Sequence, residues 1–181
     1  MAPRIESLHR LERACWDELE RAAAQRGHAW RTAVLATTDG EAAHARTVIL
    51  READAAQRRL LVYTDARSPK AAQLAAHPRG TMVVWSATLG WQLRLDCHLA
   101  LHTEGLAVTS RWAQLRLTPA AQDYVSPLPP GQALRDAPSH GERAHFALIS
   151  ADVLAIDWLE LHADGHRRAT FDARGARWLQ P

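Results

Sequence analysis

The stretch LLVYTDARSPKAAQLAAHP, Leu60 to Pro78, sets Arg67, Ser68, Pro69 and Lys70 in a row where a β-branched run gives way to an alanine-rich one. Ser as a helix N-cap with Pro at the first helical position starts a helix well. It turns free backbone N–H groups and the positive end of the helix dipole toward the preceding loop. With Arg67 and Lys70 at that mouth, a phosphate would meet full charges as well as amides. The bland alternative is a helix that simply begins there. A second stretch, RTVILR, alternates so that Arg46, Val48 and Leu50 fall on one side and Thr47, Ile49 and Arg51 on the other. A planar ligand along that strand could bond its backbone N–H and C=O groups while Arg46 pairs with a phosphate. Otherwise both arginines sit at strand ends with their heads in water.

Other constellations are weaker. His98 and His102 share one face of a strand, His162 and His166 lie four apart across an Asp-Gly turn, and His140 and His145 flank a loop. None has the compact spacing of a zinc signature, so no metal is expected. No G-x-S-x-G elbow supports a serine hydrolase. Cys15 and Cys97 are too few for a disulfide framework, which fits a reducing compartment and a cytoplasmic protein.

Elements to carry these groups can be read from periodicity. From Arg4 to Arg26, apolar residues recur at steps of three and four, a helix with one buried face that Gly27 would end. Three short strands come next, Arg31 to Thr37, Arg46 to Arg51 and Leu60 to Thr64, with a tight turn at Asp39-Gly40. TMVVWSA gives another strand, and in WQLRLDCHLALHTE the residues Leu93, Leu95, Cys97, Leu99 and Leu101 form one face of a long one. Ser110 to Leu117 and Thr118 to Val125 are expected as short helices. Residues 126–142 form a Pro/Gly-rich loop, and the remainder returns to strands with turns at Ala163-Asp164-Gly165 and Ala173-Arg174-Gly175. Strands that succeed one another without crossover helices favour a mainly β fold, an antiparallel closed or split β-barrel with peripheral helices, over a βαβ fold.

Bulk composition narrows the partners. A length of 181 residues with 47% hydrophobic content suits a single domain, residues 1–181, with residues 1–27 as its N-terminal helix. Lys and Arg total 22 against 20 acidic residues, a net charge of +2. That balance, without aromatic and basic residues interleaved along the strands, argues against nucleic acid. No apolar run suggests a signal peptide or membrane span.

Taken in order, these segments resemble the pyridoxamine 5′-phosphate oxidase-like family, flavoproteins built on the FMN-binding split barrel. RTVILR is similar to the family's R-x-V-L-L-K strand, and VYT with SPK to its Y-T and S-R-K. AAHPRGTMVVW resembles the N-P-R helix exit, and WQLRLD the R-Q-V-R-V strand. IDWLELHADGHRRATF and RWLQP resemble the C-terminal W…R-L-H-D-R and R-L-x-P. The likeness covers Trp30 to Glu104 and Asp152 to Pro181 well.

The resemblance implies FMN as cofactor. Arg46, Ser68 and Lys70 would hold its phosphate, with a contribution from Thr64 and, where Pro69 replaces the family's arginine, from Arg67. Thr47, Val48, Ile49 and Leu50 would line the isoalloxazine, with Tyr63 nearby. It also implies a homodimer with FMN at the subunit interface, Gln92, Trp158 and Arg168 reaching the flavin of the other subunit. His166 and Arg51 would lie on the substrate side. Asp164 falls where the family has a substrate arginine, so the expected protein is an FMN-dependent oxidoreductase with an altered substrate site. The alternative is a flavin carrier or redox sensor without turnover.

Overall fold

The computed structural model describes residues 4–134 and 144–181. The first helix, α1, runs Leu8–Ala24 and not from Arg4, because Ser7 takes the N-cap and its Oγ accepts from the Arg10 N–H. It stops before Gly27, where Gln25 turns extended. Its apolar stripe of Leu11, Cys15, Trp16, Leu19 and Ala22 is buried in the main core. Each large side chain there contributes about 1.5–3 kcal/mol by leaving water.

Eight antiparallel strands make up the sheet: β1 Thr32–Thr38, β2 Ala43–Asp54, β3 Arg59–Asp65, β4 Arg79–Ser86, β5 Trp91–His102, β6 Phe146–Glu160, β7 Arg167–Asp172 and β8 Gly175–Leu179. The sheet order is β3-β2-β1-β4-β5-β6-β7-β8, and an additional pairing of β3 with β6 closes the first six strands into a barrel. β7 and β8 extend beyond it from the second half of β6. The expected β-barrel is the observed fold. At the β1–β2 connection Gly40 takes a φ of 97°, and the Asp39 carboxylate accepts from the N–H groups of Glu41 and Ala42.

Helix α2, Pro69–Ala76, leaves β3 directly, with Leu74 seated in the main core. Helix α3, Leu106–Leu115, begins earlier than its sequence signal at Ser110, since Gly105 with a φ of 90° turns the chain out of β5. The expected second helix is a 3-10 segment, Pro119–Tyr124. Together they cover a smaller cluster of Val108, Leu115, Tyr124, Phe146 and Leu148. Of the loop expected at 126–142, residues 126–134 are described and carry no regular structure, while the rest, with His140, lies outside the described residues.

One buried carboxylate ties the ends of the chain together. Glu160 accepts from Arg4, Arg167 and the Trp91 indole, at 2.8, 2.9 and 3.2 Å. Burial works to raise its pKa, but the hydrogen bonds from Arg167, Arg4 and Trp91 outweigh it and hold the carboxyl below its ordinary value. A carboxylate depressed in the folded state stabilises the protein above its unfolded pKa of about 4.3, and that stability is lost as pH falls through the folded value. Glu160→Gln is therefore expected to cost about 3 kcal/mol at neutral pH, since two cations lose their partner in a buried site. Urea unfolding of both proteins at pH 7 and pH 4 measures this: the gap narrows on the acid side.

Candidate functional site

The barrel closes incompletely. β2 pairs with β1 along Ala43–Ile49, but with β3 only from Leu50 to Asp54. On its other edge β3 pairs with β6 along its whole length, Arg59 to Asp65, so β2 and β3 part beyond Leu50 and Val62. The β3-facing edge of β2 from residue 43 to 49 is thus left without a strand neighbour, and no other backbone bond fills that side among the described residues. Open edges of this kind present N–H and C=O groups to whatever lies alongside.

Cations gather at one end of this split. Arg46 projects inward from β2, and its guanidinium donates to Leu35 O at 3.1 Å, Thr37 Oγ1 at 2.5 Å and Gln73 Oε1 at 3.0 Å. All three acceptors are neutral, so the charge is positioned by β1 and α2 without being cancelled. Lys70, on the first turn of α2, is half-buried and makes no hydrogen bond or ion pair among the described residues. Burial first, and then repulsion from Arg46, push its ammonium pKa down, with Asp65 opposing weakly. Ser68, at the N-cap, is buried, but its hydroxyl does not cap the helix and lies 3.2 Å from Thr64 Oγ1. Two cations, two hydroxyls and a helix N-terminus converge, which is the donor set a phosphate monoester requires.

Arg67 is placed differently. Its guanidinium faces Asp65 and the carbonyls of residues 126–128, and does not join Arg46 and Lys70. The family-derived role at the phosphate rests on charge, and here that charge is matched locally.

Along β2, Val48 is 7% and Leu50 0% exposed, so their side chains belong to the barrel core and only their backbone can meet a ligand. Thr47 and Ile49 point outward and are exposed. A bulge between Leu50 and Glu52 leaves Arg51 as the extra residue. Its guanidinium carbon stands 5.0 Å from the Tyr63 ring centre, and its Nε is buried without a partner in the described structure. Sequence alternation placed Arg51 on the side of Thr47 and Ile49 and carried no signal for the bulge. Beside it opens a cavity of about 660 Å³ walled by Arg51, Glu52, Leu61, His102, Arg111 and Ser150. Arg111 forms a two-pronged bond to Glu52 at 2.5 and 2.6 Å, and His102 lies 2.9 Å from Ser150 Oγ. The Arg111–Glu52 pair was not anticipated, since nothing in the spacing of residues 59 apart announces it.

The residues expected to reach across a subunit interface divide. Gln92 lies half-exposed on the outer sheet face. Arg168 bonds Asp157 at 2.6 and 2.9 Å on that face. Trp158 does not reach out: it is 0% exposed, with ring centres 5.4 Å from Trp91 and 6.2 Å from Trp178, so no ligand can touch its side chain from the surface. Burial at that step of β6 comes from the inward face it shares with Ile156 and Glu160. His166 is exposed in the β6–β7 turn, accepting from the His162 N–H through Nδ1, and Asp164 is exposed beside them. No group of three potential ligands for a metal occurs among the described residues. Both cysteines are buried, and burial pushes the Cys97 thiol up to about 12, which removes it as a nucleophile. No helix among the described residues is long and apolar enough to cross a membrane.

Comparisons with known proteins agree with this geometry. No curated protein matches the chain. Among solved structures, an FMN-binding protein related to pyridoxamine 5′-phosphate oxidase from Nostoc punctiforme superposes with a TM-score of 0.74 at 21% identity, covering 93% of this chain and 96% of that one. PhzG from Burkholderia lata, solved with tetrahydrophenazine-1-carboxylic acid, gives 0.73 at 17% identity, over 99% and 94%. General stress protein 26 from Bacillus anthracis is more distant, at 0.55 and 12% identity, over 80% and 92%. At these identities the likeness shows the fold. The sequence adds the family: residues 13–103 match the FMN-binding domain of pyridoxamine 5′-phosphate oxidase, a span that holds the open β2 edge, Arg46, Ser68 and Lys70. The converging phosphate donors and the unpaired strand edge fit FMN, and the chain belongs to the pyridoxamine 5′-phosphate oxidase FMN-binding family.

Proposed function

We propose that the protein is a cytoplasmic, homodimeric FMN-dependent oxidoreductase, built as one domain, acting on a small molecule other than pyridoxine or pyridoxamine phosphate. The observation that carries this reading is the unpaired 43–49 edge of β2, with uncancelled cations at one end and the Arg51 cavity at the other. Bound FMN supplies hydride and electron transfer. The chain does the rest. Arg46, Lys70, Ser68 and Thr64 bind the phosphate, and the backbone of Thr47 to Leu50 orients the ring. Tyr63 and Arg51 would lie beside the ring, with Arg51 placing a positive charge toward the cavity it lines.

Support for the dimer comes from the outer sheet face. Val34, Ile49 and Trp85 are 41%, 36% and 43% exposed, and Val34 lies opposite both Thr47 and Val83 across neighbouring strands. An apolar stripe on adjoining strands, rimmed by Gln92, Arg94 and Arg168, suits an isologous contact in which Gln92 and Arg168 approach the partner's flavin. For the substrate, Asp164 puts a negative charge near His166, where the family resemblance expects an arginine, and this disfavours a phosphorylated ligand at that turn.

Four measurements test the proposal. Purified protein titrated with FMN is expected to develop the bound-flavin spectrum, and NAD(P)H under anaerobic conditions is expected to bleach it, the colour returning when an electron acceptor is added; a protein that refuses FMN overturns the reading. Arg46→Ala with Lys70→Ala is expected to weaken FMN by about 100-fold or more while changing riboflavin by much less, because the lost charge-assisted bonds are to phosphate. In flavin-free protein, Lys70→Met is expected to unfold at the same or higher urea concentration than the parent, since it removes a half-buried cation that Arg46 repels. Trp85→Glu is expected to give monomers by light scattering and to release FMN with them.

A further inference from the structure

We propose that Arg67 is a positioning residue of the flavin-phosphate site: its guanidinium fork fixes the strap Ser126–Gly131 across the N-terminus of α2 and does not itself bind the phosphate. The proposal rests on the flavin reading above and adds a second layer to it.

Arg67 immediately precedes the N-cap Ser68, so on charge alone it belongs with Arg46 and Lys70. Its bonds give it other work. Nε and Nη2 donate to the two Asp65 carboxylate oxygens at 3.1 and 2.7 Å, and the Arg67 backbone N–H donates to Asp65 Oδ1 at 2.8 Å. The Asp65 side chain is 4% exposed. Burial works to raise its pKa, yet the bonds from Arg67 prevail and keep it ionised. A paired, ionised carboxylate leaves little net charge to offer a phosphate.

The outer N–H groups of the same fork turn to the strap. Nη2 donates to Ser126 O at 2.9 Å and Leu128 O at 3.3 Å, and Nη1 donates to Pro127 O at 3.3 Å. Three successive carbonyls are gathered by one side chain. They need an outside donor because Pro127, Pro129 and Pro130 carry no N–H with which the strap could build a ladder of its own. A planar guanidinium with five donors can serve a carboxylate and several carbonyls together, whereas a lysine ammonium of three clustered donors cannot span them.

Backbone bonds tie the neighbouring segments to the same turn. The Ala66 N–H donates to His145 O at 2.8 Å, and the His145 N–H donates to Tyr124 O at 2.8 Å. Both Ser126–Leu128 and the start of β6 are therefore pinned to residues 65–67. From this base the strap reaches α2: Gly131, at a φ of 89°, lies so that a Cβ built on it would stand 4.0 Å from Pro69 Cγ. Pro69 is the first residue of α2. The strap thus passes beside the first residue of α2, and the Arg67 fork gathers the carbonyls at its start.

Charge and geometry predict opposite results in two substitutions. Arg67→Lys keeps the charge and loses the fork. It is expected to raise the FMN dissociation rate about tenfold, as Arg67→Ala does, with the ionic-strength dependence of FMN binding unchanged. Asp65→Asn frees the Arg67 charge but loosens the clamp, so it is expected to weaken FMN; a phosphate-binding Arg67 would make the same variant bind FMN more tightly. In flavin-free protein, limited proteolysis within residues 126–134 is expected to be about tenfold faster in Arg67→Lys than in the parent. Rescue of FMN retention by lysine, tighter FMN in Asp65→Asn, or unchanged cleavage of the strap overturns the proposal. A parent that takes up no FMN brings down the flavin reading itself, an outcome distinct from any of these.

Discussion

The point at which β2 and β3 part governs the architecture of this protein. β3 pairs with β6 along its whole length, which closes the barrel, but with β2 only from Leu50 to Asp54, which leaves a split on its other edge. An unpaired strand edge costs hydrogen bonds and invites unwanted pairing, so folded proteins keep such edges short or cover them. Here the gap spans residues 43–49 and is flanked by α2, whose N-terminus begins where β3 ends. The edge and the helix end are two sets of backbone groups side by side, and a flat ligand with a phosphate tail would satisfy both.

Charges are handled in two contrasting ways. At Glu160, Arg4 and Arg167 meet a carboxylate, and the cluster joins the N-terminal segment to β6 and β7. At Arg46 and Lys70, neutral partners or none stand in the same role, so positive charge is stored and not neutralised. The first arrangement stabilises the fold; the second leaves free energy to be recovered on binding an anion. Arg67 belongs to the first kind although it sits beside the second, because Asp65, two residues earlier, claims its fork. One carboxylate thus separates an arginine whose charge is uncancelled from one that is paired within the fold.

The outer face of the barrel shows a similar division between adjoining strands. Val34 and Trp85 leave apolar surface exposed on β1 and β4, while the pairs Arg94–Asp157 and Arg168–Asp157 make the facing part of β5, β6 and β7 polar. The apolar side adjoins the open β2 edge, so a subunit contact there would also wall that edge.

Much of this was legible in the sequence. Period-two alternation in β5 predicts Leu93, Leu95, Cys97 and Leu99 as a buried face, and they are. RTVILR predicts Arg46 on the same side as Val48 and Leu50, which the structure bears out, and Ser68-Pro69 predicts the start of α2 at the residue observed. Those features are local: a side chain's face is set by its backbone geometry, and a helix start by its cap. Local signals of this kind therefore carry most of the strands and helices, the barrel class and the likeness to the family. Only the closed chain fixes the split between β2 and β3, the burial of Trp158 between Trp91 and Trp178, the bulge at Arg51, and the capture of Arg67 by Asp65 and the 126–128 carbonyls. Each of these depends on which of several distant segments wins a hydrogen bond or a packing site, and that competition is settled only when the whole chain has closed on itself.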